Sequence, residues 1–141
     1  ERGWPRQKFP VVFESLRRKG VKPVLPRPGA VFASGAEIAA WIAEHPGAID
    51  TVLCENDLAA SQVIGELAPM KLSTPGDVVV VGCDGNAKLK GAWTVKLDTA
   101  ALATIAVDAL VNLMDGQAIA SPLLYKPIAL DENDQPVVSK C

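Results

Sequence analysis

Two polar clusters close otherwise apolar stretches of this chain, "CEND" at residues 54–57 and "CDGN" at residues 83–86. The first follows "AIDTVL", and the second follows a run of valines and a glycine. An amide at Asn56 and a carboxylate at Asp84, brought side by side, would make a receptor for hydroxyl groups. The carboxylate accepts two hydroxyl protons, and the amide both donates and accepts. A polyol, and above all a sugar, is the ligand such a pair suits. Plainer readings compete: Asn56 or Asp57 can N-cap a helix starting at Leu58, and Asp84 with Gly85 can be a simple turn.

The other reactive residues point to little chemistry. Cysteines stand at 54, 83 and 141, an odd and widely spaced set that matches neither a disulfide framework nor a zinc pattern. Cys54 and Cys83 occupy equivalent places near the two strand ends and read as neighbouring buried thiols. His45, the sole histidine, precedes Pro46 at a helix end, where it can meet the terminal carbonyls. Trp4 and Trp93 are candidate stacking platforms for a sugar ring, whereas Trp41 reads as core. "DENDQP" from Asp131 lacks the glycine and distal glutamate of a calcium loop and reads as a solvated hairpin turn. No G-x-S-x-G, H-E-x-x-H or glycine-rich phosphate loop occurs, so we expect no enzyme, no metal and no cofactor.

These candidates need a scaffold, and the pattern of the chain supplies one. "RQKFPVVFESLRRKG" carries Phe9, Val12, Phe13 and Leu16 at helical spacing, with Gly20 as C-cap and a possible start only after Pro10. "VKPVLP" reads as a short extended piece and "RPGAVFAS" as loop. Ser34 and Glu37 form a capping box for "GAEIAAWIAEHPG", which holds Ile38, Trp41 and Ile42 on one face. "AIDTVLC" is a strand and "ENDLAASQVIGELAPM" the helix after it. "LSTPGD" is a turn, "VVVVGCDG" the next strand and "WTVKLD" a third. The helix "TAALATIAVDALVNLMDGQ" ends at Gly116, and "SPLLYKPIAL" is the last extended segment. Helices alternating with nearly continuous apolar strands predict an α/β fold: an open, mainly parallel sheet with helices on both faces. In such sheets the ligand crevice lies beyond the carboxyl ends of the strands, where Asn56 and Asp84 both fall.

With 141 residues, 49% of them hydrophobic, and a net charge of −2, the chain has one core and no basic stripe for nucleic acid. No apolar run is long enough to span a membrane, and cysteine usage suggests a reducing, cytoplasmic setting.

The ordered set "IDTVLCENDLAASQVIGEL", "STPGDVVVVGCDG", "WTVKLDTAALATIAVDALVNLMDG" and "SPLLYKPIAL" resembles the C-terminal part of the effector-binding region of lactose-repressor-type (LacI/GalR) regulators. The resemblance is nearly continuous from residue 49 to about residue 130. It implies one lobe of a type I periplasmic-binding-protein-like fold, incomplete because the strand that should precede the first helix is missing. The family's effector-binding asparagine then falls on Asn56 and its aspartate on Asp84, while Asp57 matches a structural acid. Its effector-binding arginine falls on Lys8, or on Arg6 with a small shift, and its crossover glutamine on Leu97. The resemblance further implies a sugar-like small-molecule effector, a homodimer or other self-association, and DNA contact only through a headpiece outside residues 1–141. The helix over residues 99–116 would pack on the other lobe through Leu102, Ile105, Leu110 and Leu113, or fold back on its own sheet. A periplasmic sugar-binding component of an uptake system, which shares the fold, is the alternative.

Overall fold

The computed structural model describes residues 5–24, 32–85, 89–119 and 127–137. The chain opens with α1, Pro5–Arg18, which begins at a proline suited to the first helical position and runs through Pro10 instead of starting after it. Arg17 and Arg18 occupy its last turn, favourably placed against the carbonyl end of the helix dipole. Gly20, at φ 77°, turns the chain out, with its N–H on the Arg17 carbonyl and that of Val21 on the Leu16 carbonyl. Residues 21–24 follow without strand pairing.

Helix α2, Gly35–Glu44, starts at the expected cap: Ser34 Oγ accepts from the Glu37 N–H at 3.2 Å. Glu37 reaches back to the Ala33 N–H at 2.6 Å, one residue earlier than in a standard capping box. Strand β1, Thr51–Leu53, then leads into α3, Asp57–Leu67, and a single 3-10 turn, Ala68–Met70. Strand β2, Val79–Asp84, is entered through a turn in which Asp77 Oδ2 accepts from both the N–H and the hydroxyl of Ser73. Those Ser73 bonds hold the exposed Asp77 carboxyl below its ordinary pKa. Strand β3, Ala92–Lys96, is followed by α4, Thr99–Met114, and β4, Ile128–Leu130. The strand reading of "SPLLYKPIAL" is thus realised in its last residues, and residues 120–126 lie outside the described set.

The sheet order is β1-β2-β3-β4, with β1, β2 and β3 parallel and β4 antiparallel to β3. Ala60, Val63 and Leu67 of α3 pack on Val52, Val80 and Ala92, and α2 lies over α3 with Ile42 in the same cluster. The strands alternate accordingly: Val52, Val80, Ala92 and Thr94 are buried beneath α3, whereas Val79, Val81, Trp93 and Val95 are half-buried on the opposite face. Helix α4 packs extensively on no described helix or strand. Its predicted apolar face divides, with Leu102 and Ile105 half-buried but Leu110 and Leu113 exposed. Among the described residues no helix is long and apolar enough to cross a membrane.

Leu67 is fully enclosed between α3 and the sheet. Leu67→Ala is therefore expected to lower the unfolding free energy by about 2–5 kcal/mol, the range for emptying a core leucine site, with urea denaturation as the check.

Candidate functional site

Strands β1 and β2 run parallel with Leu53 opposite Val81, and the Cys54 N–H continues the ladder onto the Val81 carbonyl at 2.8 Å. Carried three residues further, that register brings Asn56 and Asp84 to the same end of neighbouring strands. The geometry also assigns the cap. Asn56, half-buried and with extended backbone, accepts the Ala59 N–H on its side-chain oxygen at 2.8 Å and so starts α3. Capping engages the oxygen and leaves the amide nitrogen, a double donor, to face other groups.

Asp57, the next residue, points into the core and is 4% exposed. Its Oδ1 accepts the Thr94 hydroxyl of β3 at 2.7 Å. The same oxygen lies over Gly82 of β2, where a β-carbon would collide with it and stand 3.2 Å from Asp57 Cα and 3.3 Å from Ala60 Cβ. Glycine at 82 is thus the condition for α3 to sit this close to the sheet.

Asp84 ends β2 with φ at 97°, in the region that favours glycine. Its side chain is half-buried, and its carbonyl accepts the Leu97 N–H at 3.3 Å, so the residue that follows β3 holds the strained one in place. Strain of this kind, on a carboxylate at a strand end, is typical of functional positions. Lys96 is its register partner on β3.

Cys54 and Cys83 do not face each other. Cys54 aligns with Gly82, so Cys83 lies one position on and points to the other face of the sheet. Both are free thiols, and Cys54 is buried. Burial, and secondarily the nearby Glu55, pushes the Cys54 thiol from 9.0 up to about 12, which makes it a poor nucleophile.

Trp93 is not part of the cluster. It sits three residues before Lys96 on β3, roughly 10 Å along the strand, and its indole N–H donates to Glu132 at 2.7 Å. The side chains of Arg6 and Lys8 lie outside the described residues, as does Trp4. His45 places Nδ1 2.9 Å from the Trp41 carbonyl and stacks on the Trp41 ring at 4.1 Å, at the end of α2. Sequence reasoning missed Thr94 and Lys96. The alternation that sets Thr94 opposite Gly82 and Lys96 opposite Asp84 was the available signal, usable only once the register is known.

A concavity of about 290 Å³ lies between Leu89, Lys90, Ala92 and Thr94 and the turn over residues 131–134. Its acids are engaged in the fold: Asp131 accepts the N–H groups of Asn133 and Gln135 at 2.8 Å each, and Glu132 holds Trp93. Among the described residues no cluster of His, Cys, Asp and Glu is arranged to hold a metal ion.

Residues 2–132 match the family model of the periplasmic binding protein-like domain. A LacI family transcriptional regulator from Arthrobacter sp. FB24, solved in complex with lactose, is similar at 27% identity over 89% of this chain, with a TM-score of 0.68. A LacI family regulator from Silicibacter pomeroyi is similar at 26% identity over 81% of this chain, with a TM-score of 0.57. The Lac repressor bound to ONPG superposes over 92% of this chain with a TM-score of 0.74, and at 21% identity that likeness speaks for the fold alone. The matches cover 50%, 46% and 41% of those chains respectively, so this chain spans half their length or less. No curated protein matches it.

The buried carboxylate and the strained one each generate an expected outcome. Thr94→Val keeps the shape but removes the donor to Asp57, and should lower stability by about 1–3 kcal/mol while Thr94→Ser restores most of it, both read by urea denaturation. Asp84→Gly should raise stability by about 1 kcal/mol by releasing the backbone, and Asp84→Ala, which retains the strain, should give no such gain.

Proposed function

Because this chain belongs to the periplasmic binding protein-like domain family, we propose that it forms the C-terminal part of the effector-binding region of a lactose-repressor-type transcriptional regulator. Its ligand is a sugar or a closely related polyol. The observation that carries this reading is the donor and acceptor pair at the carboxyl ends of neighbouring parallel strands: Asn56 presents amide hydrogens, and Asp84 offers a carboxylate on a strained backbone. Together they suit a hydroxyl-rich ligand in the crevice where open α/β sheets bind. The lactose complex of the Arthrobacter regulator supports the same ligand class.

In this reading the protein binds and does not catalyse. A second lobe supplies the other wall of the crevice, with Lys8 or Arg6 of α1 contributing a cationic contact. Effector binding favours the closed arrangement of the lobes, and that preference shifts the affinity for DNA, which a separate headpiece contacts in the cytoplasm. Helix α4 packs on the second lobe or on a second copy of the chain through its exposed apolar residues. The similarity to several LacI family regulators favours this role over a periplasmic uptake component.

Titration calorimetry of the full-length protein against a panel of neutral sugars, sugar acids and sugar phosphates tests the reading. One compound should bind in the micromolar range or tighter, and Asp84→Asn should weaken it by about 100-fold, as expected for losing a charge-assisted pair of hydrogen bonds. Binding that ignores this substitution would remove Asp84 from the site.

A further inference from the structure

Lys96 ends β3 in register with Asp84, so the two residues stand side by side at the carboxyl ends of neighbouring strands. Its aliphatic stem lies against the residue after that aspartate. A β-carbon on Gly85 would fall 2.6 Å from Lys96 Cγ and 2.8 Å from both its Cα and Cβ. Gly85 also has φ at 66°, so this position excludes a side chain by backbone conformation and by space. The turn over Asp84 and Gly85 therefore acts as a bed for the lysine stem.

Lys96 is nevertheless exposed, and no ion pair joins its ammonium to the neighbouring carboxylate. A surface lysine is ordinarily a solvated charge on a wandering stem. This one differs in two respects: its stem is seated on a glycine, and its neighbour in the sheet is the strained carboxylate. Neighbouring strands lie about 4.8 Å apart, a gap that a short carbon chain bearing a hydroxyl and an anionic group can bridge. The hydroxyl would donate to Asp84, and the anion would receive a charge-assisted hydrogen bond from Lys96.

We infer that Lys96 contacts the ligand in the same crevice as Asp84, and that the effector carries an anionic group, a carboxylate or a phosphate, beside its hydroxyls. The inference rests on the reading of Asp84 as a hydroxyl acceptor. It accounts for a cation at this strand end, beside the aspartate that receives the hydroxyl. An effector anion beside Asp84 meets the repulsion of that carboxylate, which Lys96, its register partner, is placed to offset.

Calorimetry of the full-length protein with glucose, gluconate and glucose 6-phosphate, and with the galactose equivalents, tests this directly. The expected result is that an anionic member binds at least tenfold tighter than its neutral parent. Lys96→Met should abolish that preference, Lys96→Arg should keep it, and added salt should reduce it. Preference for the acid over the phosphate, or the reverse, identifies the anion. A neutral sugar that binds tightest, is lost in Asp84→Asn and ignores Lys96→Met overturns the inference while the crevice reading stands. No binding across the panel, or binding that ignores both substitutions, overturns both. Circular dichroism of each variant verifies that its fold is intact.

Discussion

The Asp57 carboxylate lies beneath α3 with Oδ1 over Gly82 and with the Thr94 hydroxyl donating to it, so segments from three parts of the chain meet at one buried oxygen. A carboxyl group removed from water is destabilising unless hydrogen bonds replace its hydration. Thr94 supplies one such bond, and the position of Asp57 in the first turn of α3 adds the favourable end of the helix dipole. The spacing of the residues then sets the geometry of this end of the sheet. Asn56 immediately precedes Asp57, Asp84 stands two residues beyond Gly82, and Lys96 stands two beyond Thr94. Locking the three inner residues together fixes the three outer ones at a common end of the sheet. A larger residue at 82 would lift α3 and separate Asn56 from Asp84.

Capping and ligand binding are often treated as rival explanations for an asparagine at a strand end. In this chain the cap uses only half of the side chain, so the proposed ligand role of Asn56 does not compete with it. The N-cap bond to Ala59 engages the oxygen, which orients the amide and leaves its hydrogens unspent. Asp84 provides the opposite character, an acceptor held at φ 97° by the bond between its carbonyl and Leu97. In the proposed site, a donor that the helix orients and an acceptor that Leu97 restrains would need little reorganisation before a hydroxyl arrives.

Much of this was legible in the sequence because the signals are local. Ser34 and Asn56 announce helix starts, the valine run announces a buried strand, and each polar cluster closes an apolar stretch. The order of elements followed from those signals and identified the fold. What escaped depends on register, which is a property of paired strands. Thr94 meets Asp57 across 37 residues of sequence, and nothing near either one predicts the bond. Cys54 and Cys83 look like neighbours at equivalent strand ends, yet an offset of one residue turns them to opposite faces. Trp93 has the chemistry of a stacking platform, and what register adds is its place near the start of β3, where its N–H goes to Glu132. The first helix was legible from its apolar spacing, with two starts open because of Pro10, and the structure takes the earlier one and passes through that proline.

The burial pattern of α4 carries one more consequence. A helix apolar around its whole circumference belongs in an interior, and α4 has two apolar stripes. Leu102, Ile105 and Ala109 form one, half-buried to buried, while Val107, Leu110, Val111 and Met114 form the other at the i, i+3, i+4 and i+7 spacing and are 57%, 57%, 48% and 78% exposed. The inner stripe is covered by this chain, and the outer one is apolar surface of the kind that marks a contact with another body. Helix α4 is capped by Asp98, whose carboxylate accepts the Ala101 N–H at 3.0 Å. Only Leu97 separates that cap from Lys96, and the Leu97 N–H is the group that restrains Asp84. The capped start of α4 thus stands one residue from the strand end that carries both the lysine and the hold on the strained aspartate.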